Sequence, residues 1–286
     1  MSVLVTGATG KVGQRFVPRL LQWTGGGGVR LLVRDAERAA PFARLGADVV
    51  VGDLRDPGDR RKALAGAQTV VHVAAAFRDV PDEEAYAVNR DATLALGEQA
   101  AEEGVRRFVF TSTNLVYGAG RGRPAVEADE PRADGLLQGA YPQAKTEAER
   151  GLLALHRERG MDVRVARLAF VYGEGDPHIE EALGWTLSFA AHQRLQMVHH
   201  ADVAQALWRV LRAPGADGRI YNVADDAPVS AVEVLQLVGA EIPEGMADRP
   251  VADPWHGVVS TRRIRDELGF RPLYPSLWTA RDAGAL

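Results

Sequence analysis

Apolar and polar positions follow two different periods along the first 170 residues. Six short apolar runs stand out: Val3-Leu4-Val5, Val29-Arg30-Leu31-Leu32-Val33, Val49-Val50-Val51, Thr69-Val70-Val71-His72-Val73, Arg107-Phe108-Val109-Phe110 and Val163-Arg164-Val165-Ala166. They are near-continuous rather than alternating, the pattern of strands covered on both faces. Helical spacing fills the gaps, with segments running to about Trp23, from about Asp82 to Glu103, and from Tyr141 to Arg159. Strands separated by helices predict βαβ units with right-handed crossovers, hence an α/β fold with a doubly wound parallel sheet. Beyond Gly173 the pattern loosens. Ile179–His192 reads as a helix, Leu195–His199 as a strand, Asp202–Arg212 as a helix and Ile220–Val223 as a strand. Residues 241–256 read as loop and Arg262–Leu268 as a short helix.

Composition narrows the chemistry. The chain has 286 residues and no cysteine, which removes thiolate zinc sites, iron–sulfur clusters and cysteine nucleophiles. Its net charge is −4, so no global basic field points to nucleic acid. No apolar run approaches a membrane span, and the N-terminus enters Ser2-Val3-Leu4-Val5 without a basic leader. These features predict a cytoplasmic protein with a small-molecule partner and neither membrane nor nucleic acid. Histidines and acids show no metal-ligand spacing, so no metal is expected. Only Lys11, Lys62 and Lys145 are lysines among 34 cations, so each surviving amine is a candidate for chemistry that arginine cannot do.

Thr6-Gly7-x-x-Gly10-x-x-Gly13 follows the first strand and opens the first helix. In that setting the glycines allow a tight turn, close approach of a pyrophosphate, and close helix–strand packing. Free N–H groups at the helix start then hold phosphates. Gly7, Thr9, Gly10, Lys11 and Val12 are the expected cofactor contacts in this turn. It is not a P-loop, because Lys11 is followed by Val12. The domain reading places an NAD(P)-binding Rossmann domain at 1–173, with returning pieces near 197–223. A small substrate domain comprises 174–196 and 224–286.

These motifs resemble the extended branch of the short-chain dehydrogenases/reductases, the NAD(P)-dependent epimerase/dehydratase family. Gly52-Asp53-Leu54 looks like the family motif whose acid contacts adenine, and His72-Val73-Ala74-Ala75 like the fourth-strand motif that lines the cofactor. The resemblance adds Asp53, Leu54, Val73, Ala74 and Ala75 to the expected cofactor contacts. Val88-Asn89 with Thr93, Thr111-Ser112-Thr113-Asn114-Leu115-Val116-Tyr117-Gly118, Arg167–Gly173, Val198–Ala204 and Tyr221-Asn222-Val223 match later family blocks. Ala201 departs, standing where the family usually has an acid. Helices of this fold pair into dimers in the family, which makes a homodimer an expected partner.

Tyr141-Pro142-Gln143-Ala144-Lys145 puts a phenol and an ammonium one turn apart on one helix face. A nearby ammonium is expected to lower the phenol's pKa, and the tuned Tyr141 exchanges a proton with a substrate oxygen while hydride moves. By resemblance Lys145 also bonds the nicotinamide ribose, and Thr113 bonds the substrate oxygen, with Ser112 the second candidate. Family dehydratases carry acids directly after that Thr, and members that epimerise C3 or C5 commonly use cysteine. Asn114-Leu115 and the missing cysteines disfavour both. Redox at a single carbonyl or alcohol remains.

The implied function is an NADP(H)-dependent reductase or dehydrogenase of a small-molecule or sugar carbonyl. The alternatives are a nucleotide-sugar 4-epimerase with tightly held NAD and, in another class, a non-catalytic dinucleotide sensor. Intact Tyr141 and Lys145 argue against the sensor. NADP is favoured because Arg34 directly follows the second strand, where an NAD site carries an acid. Asp35, one residue on, is the counter-argument: with a strand one residue longer this acid takes the ribose position and NAD is favoured, whereas an N-cap role before Ala36-Glu37-Arg38 absorbs it.

Overall fold

The computed structural model describes residues 2–78, 80–132 and 134–286. The six expected strands form as β1 (Val3–Thr6), β2 (Val29–Val33), β3 (Asp48–Val51), β4 (Thr69–His72), β5 (Arg107–Thr113) and β6 (Asp162–Leu168). With Ile220–Val223 they make a seven-stranded sheet in the order Ile220–Val223, β6, β5, β4, β1, β2, β3. β1 pairs in parallel with β2 on one side and β4 on the other, setting Val5 opposite both Leu31 and Val71. Chain order reverses at this point, and in such sheets a crevice opens beyond the carboxyl ends of the flanking strands. Gly7 and Val73, which follow β1 and β4, lie there.

Helices α1 (Gly13–Thr24), α2 (Ala36–Arg44), α3 (Pro57–Leu64), α4 (Asp82–Tyr86), α5 (Thr93–Glu102) and α6 (Ala140–Arg159) complete the crossovers. Leu4, Val70, Phe108 and Phe110 from the sheet pack with Leu96 of α5 and Leu152 of α6. Gly97 lets those two helices approach, since a Cβ there would stand 2.4 Å from Leu152 Cδ2.

The helix expected over Asp82–Glu103 is interrupted. Residues Ala87–Ala92 form a π-helical turn between α4 and α5. The extra residue in that turn carries the buried Asn89 side chain, which hydrogen-bonds the backbone of Ala76 in both directions.

Clustering divides the chain into two compact units. The first comprises Met1–Thr113, Gly139–Ala166 and Ala204–Ile220, and the second Asn114–Gln138, Arg167–Val203 and Tyr221–Leu286. The sequence reading placed 114–138, 167–173 and the pieces near 197–203 and 221–223 with the first domain, and they fall in the second unit.

Arg164 is fully buried in the first unit. Its guanidinium donates to Val210 O (2.6 Å) and Ala213 O (2.7 Å) and to both carboxylate oxygens of Asp162 (2.8 Å each). Arg107 adds bonds to Asp162 and to Leu211 O. The two cations thus occupy the carbonyl end of the helix His200–Arg212, where positive charge is favoured.

In the second unit the expected helix Ile179–His192 is not continuous; it breaks into His178–Glu181 and Leu183–Thr186. Leu183, Leu187 and Phe189 pack instead around a small core of Ala191, Ala231, Leu235 and Met246, a long-range demand that helical spacing does not reveal. The expected strand Leu195–His199 is also split, into Arg194–Leu195 and Met197–His199. Gln196 between them turns its amide inward to donate to Asp225 Oδ1 at 2.9 Å. Trp185 and Phe189 lie with ring centres 5.3 Å apart. Among the described residues, no helix is long and apolar enough to cross a membrane, and no cluster of ligand side chains fits a metal.

Candidate active site

The glycine turn has the shape its spacing demands. Gly7 has φ +75°, and a Cβ there would stand 2.4 Å from the Ala74 nitrogen, so the turn lies directly on the strand after β4. A Cβ on Gly13 would meet Gly7 O at 2.1 Å, which fixes the close approach of α1 to β1. Gly10 is different: it is exposed, and the nearest atom to a Cβ there is Gly7 O at 3.3 Å. The N-terminus of α1 carries no side-chain cap. An open glycine before an uncapped helix end is a fitting cradle for a pyrophosphate. Gly7, Thr9, Gly10, Lys11 and Val12 would hold that group, with Val73, Ala74 and Ala75 beside them on the neighbouring strand end.

Arg34 and Asp35 lie at the edge beyond β2. Asp35 is the N-cap of α2, its Oδ1 accepting from the N–H groups of Glu37 (2.9 Å) and Arg38 (3.2 Å). Arg34 stays exposed directly after the strand. Arg38, which the sequence reading did not single out, reaches back to donate to Thr9 O at 2.8 Å. Asp53 follows β3 and is engaged by Arg55, whose Nη2 lies 2.8 Å from Oδ2; that bond, with the charge of Arg34 nearby, holds its carboxyl below the usual range. Leu54 packs against the main core.

His72 ends β4 fully buried, with Nδ1 2.6 Å from Thr6 Oγ1 and Nε2 2.8 Å from Thr93 Oγ1. Burial, with the charge of Lys145, pushes its pKa down to about 3. It is a neutral pin between strands and α5, and the backbone of the residues that follow faces the glycine turn.

Tyr141 and Lys145 lie on α6 as their spacing requires. Lys145 is 1% exposed. Its Nζ donates to Thr111 O at 3.0 Å and stands 4.6 Å from the centre of the Phe110 ring and 5.9 Å from that of Tyr141. Burial pushes the amine down to about 7, opposed by the nearby Glu149. The expected lowering of the Tyr141 phenol is not found. Burial pushes it above the ordinary value, and no neighbouring charge offsets this. The Lys145 amine is turned to a backbone carbonyl rather than to the phenol.

Thr113 and Ser112 both lie buried at the end of β5 and, being adjacent on a strand, point to opposite faces. The Ser112 hydroxyl has no hydrogen-bond partner. Asn114, in the second unit, donates from Nδ2 to Gly257 O at 2.7 Å. It is committed as a donor to a carbonyl and serves as no acid.

One residue of the site was missed by sequence reasoning. Phe77 packs its ring on Tyr141, centres 4.5 Å apart, while remaining 40% exposed. The only local signal is an aromatic residue following three small ones, Ala74-Ala75-Ala76.

The sheet order, its switch point and the glycine turn define a dinucleotide-binding α/β protein. Comparison with known proteins gives the family. Residues 3–224 match the model of the NAD dependent epimerase/dehydratase family. The chain is 32% identical over 94% of its length to a dTDP-glucose 4,6-dehydratase of Streptomyces griseus, covering 89% of that protein. It is 29% identical over 87% of its length to a UDP-glucose 4-epimerase of Vibrio cholerae, covering 78% of it. Among solved structures, a UDP-glucose 4-epimerase of Thermus thermophilus in complex with NAD superposes with TM-score 0.75. That pair shares 27% identity, with 96% of this chain and 94% of the other covered. The chain therefore belongs to the NAD dependent epimerase/dehydratase family. It is an NAD(P)-dependent enzyme of the extended short-chain type.

Proposed function

We propose that this enzyme is an NADP(H)-dependent oxidoreductase that reduces the carbonyl of a nucleotide sugar, with Tyr141 as proton donor. The observation that carries the reading is the placement of Tyr141 and Lys145, one turn apart on α6, with the Lys145 amine bonded to the end of β5. That placement suits a phenol that exchanges a proton with a substrate oxygen. A 4-epimerase must begin by oxidising a hydroxyl, which asks the same residue to act as a base. The relatives named above are enzymes of dTDP-glucose and UDP-glucose, which supports a nucleotide sugar as the substrate class.

A reduced nicotinamide supplies the hydride. As the carbonyl carbon gains that hydride, negative charge grows on its oxygen, and Tyr141 Oη gives up its proton there. Thr113 hydrogen-bonds the same oxygen and orients it. Lys145, buried against Thr111 O, is assigned to the nicotinamide ribose. The phenol regains its proton from solvent, so the sum is one hydride to carbon and one proton to oxygen. Asn114 and Leu115 supply no acid or base for 4,6-elimination.

The commitment of Asp35 to capping α2 supports NADP. Asp35 turns Oδ1 to two backbone N–H groups of α2, and Arg34 presents a planar fork suited to a phosphate. A charge-assisted bond of this kind contributes about 1.5–3 kcal/mol, roughly ten- to a hundredfold in affinity.

The test is a pair of dissociation constants with product analysis. NADPH is expected to bind at least about tenfold more tightly than NADH, with the advantage lost in Arg34→Ala. Incubation with UDP- or dTDP-hexoses is expected to give no 4-keto-6-deoxy product. Tighter NADH binding with cofactor retained through purification would move the 4-epimerase reading ahead.

A further inference from the structure

The face of α6 that carries Tyr141 and Lys145 continues to Glu149. Each stands one helical turn after the last, so the three side chains follow one another along a single stripe. Lys145 is 1% exposed and Glu149 is 2% exposed. Packing does not ask for a carboxylate at this depth. Ala148, beside Glu149, and Leu152, three residues on, both belong to the main apolar core. A buried carboxylate is costly unless an opposite charge faces it. One turn before Glu149, on the same face, stands a buried cation.

The amine has need of that charge. β5 offers it the Thr111 carbonyl and the Phe110 ring, neither of them ionic. At the end of β4, His72 stacks on the far ring of Phe110, centres 5.7 Å apart, and is neutral between the hydroxyls of Thr6 and Thr93. The Tyr141 phenol on α6 itself is uncharged at neutral pH. Of the titratable groups that act on the amine, Glu149 is the one that brings negative charge, and it opposes the fall that burial causes. The charge decides what Lys145 can hold. An ammonium has three N–H donors, and with one on Thr111 O two remain. The neutral amine has one fewer, which leaves a single donor.

We propose that Glu149 is a positioning residue: set one turn behind Lys145 in the buried stripe of α6, it keeps that amine an ammonium with two donors left for the hydroxyls of the cofactor ribose. The proposal rests on the assignment of Lys145 to that ribose and deepens it. Glu149 itself touches neither cofactor nor substrate and acts through Lys145.

The lysine content makes a direct test practical. With only Lys11, Lys62 and Lys145 in the chain, lysine labelled with carbon-13 at Cε gives three NMR signals, and the one lost in Lys145→Met belongs to Lys145. Its titration midpoint is followed with pH in the protein without added cofactor. In Glu149→Gln the midpoint is expected to fall by at least about one pH unit, the lower end of what an opposite charge at close range provides. Glu149→Met, uncharged and suited to an apolar core, should show the same fall, and Glu149→Asp, which keeps the charge, should restore most of the wild-type midpoint. Cofactor dissociation constants are measured on the same proteins, with whichever of NADPH and NADH wild type binds more tightly. Glu149→Gln should bind at least about threefold more weakly than wild type at pH 7, and the gap should narrow as pH falls and both amines become charged. A Lys145 midpoint unchanged in Glu149→Gln overturns the proposal. So does a loss of affinity equal at every pH, which is what a merely structural residue gives. A midpoint that falls while cofactor affinity stays the same at every pH overturns the ribose assignment on which the proposal rests, and the NMR signal shows which of the two has failed.

Discussion

The Lys145 amine donates to the carbonyl oxygen of Thr111 at 3.0 Å, inside a wall formed by Phe110 and closed to solvent. Burial of an amine disfavours its charged form and lowers its pKa to about 7. The unfolded chain keeps the ordinary lysine value, so it binds more protons than the folded chain between about pH 7 and pH 10.5. The penalty for burying the charge is fully present below pH 7 and is relieved as pH rises through that window.

Lys145→Met is accordingly expected to be more stable than wild type near pH 6, by at least about 1 kcal/mol or on the order of 2 °C in Tm. The gain should shrink above pH 7 and vanish toward pH 10. Thermal melts of both proteins across this range check it. A variant equally destabilised at every pH would show that the amine holds the fold rather than straining it. The same variant should lose turnover and cofactor affinity together, because the amine is assigned to both.

The three glycines of the turn should separate fold from binding. Gly7→Ala forces a Cβ to 2.4 Å from Ala74 N at φ +75°, and should destabilise by several kcal/mol. Gly10→Ala meets only Gly7 O at 3.3 Å. Its Tm should stay within about 2 °C of wild type, while its added methyl group obstructs the pyrophosphate and cofactor affinity falls at least about tenfold. Melting curves with and without cofactor distinguish the two. A Gly10→Ala protein that binds cofactor normally would remove the turn from the cofactor site.

Arg164 gives a prediction about stability alone. Its removal leaves the carbonyls of Val210 and Ala213 buried without this donor and Asp162 with Arg107 as its remaining cation. Arg164→Met should cost about 3–5 kcal/mol in urea unfolding, the range for breaking a buried charged pair. Loss of less than about 1 kcal/mol would mean that water replaces the guanidinium.

Strands and glycine turn were legible because their determinants are local. Val29–Val33 is an apolar run broken only by Arg30, and the structure gives it the same bounds. Gly7 and Gly13 are needed by backbone contacts within the turn and the adjoining strand end, so their spacing alone carried the reading. The π turn at Ala87–Ala92 was hidden because its purpose is the bond from Asn89 to Ala76, thirteen residues away. Phe77 was missed for the same reason, since nothing near it in sequence announces a ring contact with Tyr141. The direction of the Tyr141 shift was misjudged because spacing brings two side chains onto one face without saying where the ammonium points. Thr111 O takes it.

The account turns on Tyr141 as proton donor, and one substitution addresses it directly. Tyr141→Phe keeps the ring that packs on Phe77 and removes only the hydroxyl. With a nucleotide sugar that wild type converts, the variant should keep its NADPH dissociation constant within about twofold and lose turnover by about 10²–10⁴, the contribution of a positioned acid. Retention of more than about a tenth of wild-type kcat would contradict the account, since a general acid accounts for at least ten times that loss.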